Sequence, residues 1–149
     1  MNHLAVHRVR KQVLLLALIA PMAMLAWQSR AHAQSPPSPT SLATTHGGVT
    51  VRVMPKPIEA GSRQLSFGIS LDTHSQSLDD DLGQTAVLAI DGAVMKPVRS
   101  SGSAPGGHHR DVVLTFDMPS TSFKTVELRI QRSGEPAPRV FRWEADAWR

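Results

Sequence analysis

The stretch SAPGGHHRDVVLTF, residues 103–116, sets two glycines, two adjacent histidines and an arginine directly ahead of an apolar run. A second stretch, LDTHSQSLDDDL, residues 71–82, gathers a histidine, aspartates and hydroxyl side chains directly after another apolar run. Neutral imidazole suits copper or zinc, and a carboxylate completes such a shell. Asp72, His74, His108 and His109 are therefore a candidate divalent-metal set, provided that the two stretches meet in space. A polar corner is the competing reading. Here Asp72, Thr73 and Ser75 cap backbone amides in Asx or Ser/Thr turns. Gly106 and Gly107 supply a bend at positive φ, Arg110 belongs to the same corner, and one histidine bonds a loop carbonyl. Adjacent histidines on extended backbone point opposite ways, so one ion takes both only across such a bend.

Other chemistries find less support. The run Asp79, Asp80, Asp81 lacks the D-x-D-x-D-G spacing of a calcium loop, and fits a solvated loop with an aspartate near a helical N-terminus. No G-x-S-x-G elbow is present, and no carboxylate pair is marked out for acid–base work. Without cysteine there is no thiolate ligand, thiol nucleophile or disulfide. Arg129, Arg132, Arg139 and Arg142 form a basic cluster that is expected to pair across strands with Glu127, Glu135 and Glu144.

The elements that must carry these residues have period two. Val49, Val51 and Val53 alternate with Thr50, Arg52 and Met54, and Leu65, Phe67, Ile69 and Leu71 alternate with polar neighbours. Residues 85–91 form a third strand ending in Asp91-Gly92, a two-residue hairpin signal. Residues 94–98 return from it as an edge strand, where Pro97 is tolerated. Residues 111–116, 126–131 and 139–145 complete about seven strands, and residues 77–82 fit one helical turn with Leu78 and Leu82 inward. Strands of this length between Gly, Pro, Ser and Asp turns predict an immunoglobulin-like antiparallel β-sandwich.

Residues 1–33 read as a signal peptide. Arg8, Arg10 and Lys11 precede the apolar run 13–27, and Ala31 and Ala33 form an A-x-A cleavage site ahead of Gln34. The run is short for a membrane span, so no stable membrane anchor is expected after cleavage. Residues 34–48, rich in Pro, Ser, Thr and Gly, read as a flexible leader, and residues 49–149 as one domain. The signal holds four of the 16 basic residues, and the remaining 12 balance 12 acidic ones. That balance gives no electrostatic case for a nucleic-acid partner.

The motifs F-x-I-x-L-D-T-H-S (67–75), L-x-x-D-L with its following apolar strand (78–88), P-G-G-H-H-R (105–110) with its following strand, and R-x-F-x-W (139–143) together resemble a group of exported bacterial and archaeal β-sandwich domains sharing LDTHS and GGHHR loops. The resemblance implies export and a sandwich, and carries no mechanism with it. Members often have an aromatic shortly before GGHH, where this chain has VRSSGSAP. The expectation is an exported, periplasmic or secreted, non-enzymatic binding module that takes a divalent metal (copper or zinc) through the His/Asp loops. In the alternative, a structural or protein-interaction domain, the same loops only fix one another's geometry.

Overall fold

The computed structural model describes residues 39–148. The signal segment 1–33 and the first residues of the expected leader lie outside them.

Alternation of apolar and polar residues builds β2 (Val49–Pro55), β3 (Gln64–Thr73), β7 (His109–Asp117), β8 (Thr125–Ile130) and β9 (Arg139–Glu144), while β4 (Ala86–Ile90) is apolar throughout. Three short strands, β1 (Leu42–His46), β5 (Ala93–Met95) and β6 (Arg99–Gly102), add the edges and leave almost no helix. One sheet runs β1-β2-β3-β7-β6 and the other β5-β4-β8-β9, and every pairing is antiparallel. Taking β2 to β9 as A, B, C, C′, D, E, F and G, the sheets are A-B-E-D and C′-C-F-G, the immunoglobulin arrangement. β1 is an additional strand outside A. Asp91 and Gly92 both have positive φ, 47° and 88°, as a type I′ hairpin between β4 and β5 requires.

The inward faces meet in one core. Phe67 lies edge-on to Phe116 at 5.9 Å and tilted against Trp143 at 5.5 Å, with Phe67 and Phe116 fully buried. Phe67→Ala would cost about 3–5 kcal/mol through the cavity it leaves.

Three expectations are corrected. The leader expected over residues 34–48 is a strand from Leu42. LATTH lacks large alternating apolar side chains, but its backbone pairs with β2 from Leu42↔Val53 to His46↔Val49. Trp143 Nε1 also donates to Thr40 O at 2.8 Å, so the fold begins ahead of Val49. The helical turn lies at α1 (Leu82–Thr85) rather than 77–82, because Asp81 is its N-cap and accepts from Gly83 N at 3.0 Å. Leu78 and Leu82 are both fully buried. Finally, the edge strand expected over 94–98 stops at Met95. The chain then crosses to the other sheet as β6, whose RSSG sequence is exposed throughout and held by pairing with β7.

Candidate functional site

Thr73 ends β3, where the two unusual loops meet. Its Oγ1 accepts from Ser75 N at 3.2 Å and Gln76 N at 3.1 Å, an ST turn, and donates to Gly48 O at 2.9 Å. Its amide donates to His108 O at 2.9 Å, and Gly106 N donates to Leu78 O at 3.0 Å. Gly106 and Gly107 have φ of 112° and 75° and shape the approach to β7. Arg110, 4% exposed, donates from Nη1 to the carbonyls of Leu78 and Asp80 and from Nε to Ser103 O. Thr73, Gly106 and Arg110 thus hold loop backbone, and Gly107 contributes its positive φ. Ser75 enters the corner through its amide.

Two further buried arginines extend this end of the sandwich. Arg132 Nε donates to Asp80 Oδ2 at 2.8 Å, and the same carboxylate accepts from Ser133 N at 2.8 Å. Arg139 Nε donates to Glu135 Oε2 at 2.9 Å, while its Nη atoms reach the carbonyls of Thr44, His46 and Val49. The hydrogen bond from Arg139 holds the Glu135 carboxyl below its ordinary value, against the opposing effect of burial. The aspartate run is divided among separate tasks. Asp79 accepts from the Ser77 hydroxyl, Asp80 pairs with Arg132 and Asp81 caps α1. Of the arginine cluster, Arg129 and Arg142 grip Glu127 on the outer face of the second sheet. The partners of Arg132 are Asp80 and Glu135, and that of Arg139 is Glu135.

A polar row on the outer face of the first sheet stands open to solvent. Asp72 on β3 faces His109 on β7, and Asp111 follows His109 by two residues on the same face. His109 Nδ1 lies 2.6 Å from Asp72 Oδ1, and Nε2 lies 2.9 Å from Asp111 Oδ2. Both ring nitrogens donate only in imidazolium. Hydrogen bonds to Asp72 and then Asp111 raise the His109 pKa above its ordinary 6.5, and the His109 bond lowers that of Asp72 below 3.8. Ser70 Oγ donates to the other Asp72 oxygen at 3.4 Å. Serine thus meets the carboxylate rather than the imidazole, and the second imidazole nitrogen is taken by Asp111. A serine nucleophile needs the imidazole as its base, so this order does not activate Ser70.

The expected metal set is not assembled. Asp72 and His109 are brought together. The exposed imidazoles of His74 and His108 make no hydrogen bond or ion pair among the described residues. No three His, Asp or Glu side chains among those residues form a group placed to hold a metal. Each carboxylate of the Asp72–His109–Asp111 row bonds a ring nitrogen, so the row has no shared empty point for an ion.

Beside the row, the outer face of the first sheet is notched. Gly68 pairs with Met54 on one side and Val113 on the other, and the missing side chain leaves a groove of about 310 Å³. Met54 and Val113 line it, Arg52 and Lys56 stand on its β2 side, and Asp111 and Gly102 stand on the opposite side, Asp111 across Ser70 from Arg52. Sequence reasoning passed over Gly68 and Asp111. The available signals were a glycine on the polar phase of an otherwise regular strand, and an H-x-D spacing that puts both side chains on one strand face.

No family model matches the chain, and no curated protein does. Among solved structures, a secreted protein of Mycobacterium tuberculosis, MPT63, is similar with a TM-score of 0.42 and 16% identity. The match covers 70% of this chain and 92% of that one. No helix among the described residues is long and apolar enough to cross a membrane.

Proposed function

We propose that this chain is an exported, non-enzymatic binding module that uses the outer face of the β1-β2-β3-β7-β6 sheet. The observation that carries the reading is the Asp72–His109–Asp111 row, open to solvent beside a groove. The buried arginines and Thr73 of the loop end are engaged in holding backbone. The structural alternative therefore describes the loop end, and binding is assigned to the sheet face. Export rests on the n-region, apolar run and A-x-A site of residues 1–33.

The test is fractionation of a bacterium expressing the full chain, with N-terminal sequencing of the product. Recovery outside the cytoplasm with Gln34 as first residue supports the reading. Cytoplasmic retention with an intact N-terminus overturns it.

A further inference from the structure

Two glycines line the groove, and only one has a local reason to be glycine. Gly102 has φ of 121°, and a Cβ there would lie 2.3 Å from Asp111 O. Gly68 has neither constraint. Its register with β2 and β7 runs through without a bulge, and a Cβ there would meet Met54 O at 3.8 Å, an ordinary contact. Glycine weakens a strand interior unless a bulge, a bend or a closely approaching ligand calls for it. At Gly68 the notch itself is what the glycine provides.

The chemistry of the notch is specific. Its walls are aliphatic, Met54 and Val113, and no aromatic ring lines it. Met54 is 54% exposed. Arg52, Met54 and Lys56 alternate along one edge, all exposed. The two cations make no ion pair or side-chain hydrogen bond among the described residues, although Arg52 lies near enough to Asp72 to favour its charged form. Asp111 stands across Ser70 from Arg52, and its charge is tied to His109. The groove thus has apolar walls, a cationic edge along β2 and one carboxylate, already paired with His109, on its β7 edge. Its volume lies at the lower limit of small-molecule sites, about 300 Å³.

We propose that this groove binds a small aliphatic carboxylate, its chain lying over Gly68 between Met54 and Val113 and its headgroup at Arg52 and Lys56. The proposal deepens the binding-module reading and rests on it. Fractionation tests that reading independently of the titration described next.

Isotope-labelled protein is titrated with sodium decanoate below its micelle concentration, with amide shifts as the readout. Saturable shifts centred on Met54, Gly68 and Val113 are expected. Replacing both cations, Arg52→Gln with Lys56→Gln, should weaken binding about tenfold, the scale of two exposed charge contacts. Gly68→Val should fill the notch and abolish binding. Because the double variant changes only exposed side chains, it remains informative if Gly68→Val fails to fold. Absence of saturable shifts at the groove overturns the proposal. So does equal binding of decyltrimethylammonium, or undiminished binding by a folded Gly68→Val protein.

Discussion

His109 ties β3 to β7 through Asp72, 2.6 Å from Nδ1, and holds Asp111 of its own strand 2.9 Å from Nε2. Both bonds require the protonated ring. Because the folded-state pKa of His109 is raised, its contribution to stability is complete below 6.5 and is lost as pH rises through the folded value. The lowered pKa of Asp72 gives the opposite limb, complete above 3.8 and lost as pH falls through the folded value. In an NMR titration the His109 midpoint is expected above 6.5 and should fall toward it in Asp72→Asn. A wild-type midpoint at or below 6.5 contradicts the clamp.

Thr73→Val keeps shape and removes three hydrogen bonds of the corner, to Ser75 N, Gln76 N and Gly48 O. Unmet backbone groups at a site 5% exposed should cost about 1–3 kcal/mol. The expected result is a lower urea midpoint at unchanged slope. A midpoint equal to wild type would show that the ST turn contributes nothing.

The Asp80–Arg132 pair has side chains 6% exposed on both sides. Asp80→Asn neutralises the nearer carboxylate of a buried guanidinium and leaves only Glu135, 3.6 Å away; breaking a buried pair costs about 3–5 kcal/mol, and the remaining partner puts this loss toward the lower end. Chemical denaturation should show a loss of this size. Replacing Asp72 by Asn, in an exposed pair, should cost less than a third of it. Equal losses at the two sites would contradict the burial argument.

Thermal melts in chelator, copper and zinc are expected to coincide, because the row engages both His109 nitrogens with carboxylates. An ion that binds the folded chain alone adds about 2.7 kcal/mol at a hundredfold excess over its dissociation constant. A saturable rise that disappears in His108→Ala would restore the histidine set as a metal site.

Strands with a buried face were legible because their apolar residues alternate. Val49, Val51 and Val53 or Leu65, Phe67, Ile69 and Leu71 leave little choice of register, since a one-residue slip moves every one of them into water. β1 and β6 bury no such row and exist through backbone pairing, which leaves no mark in LATTH or RSSG. The site divides in the same way. Thr73 followed by Ser75 signals an ST turn locally, and Asp72 and His109 were candidates by residue type. That they pair, with Asp111 taking the other nitrogen, depends on the β3–β7 register across 37 residues. Gly68 leaves only a gap in the polar phase of β3, since its meaning lies in the absence of a side chain.

The added strand β1 also shields the protein from itself. Without it β2, VTVRVMP, would be an outermost strand with its backbone donors and acceptors unpaired along one side, a template on which a second molecule could add. β1 occupies that side with a short, threonine-rich strand, fastened by Arg139 at its turn and by Trp143 at its entry. A chain begun at Val49 would keep every core residue from Val49 onward yet lose this guard. Its characteristic failure would then be concentration-dependent association of folded molecules, edge to edge, rather than unfolding.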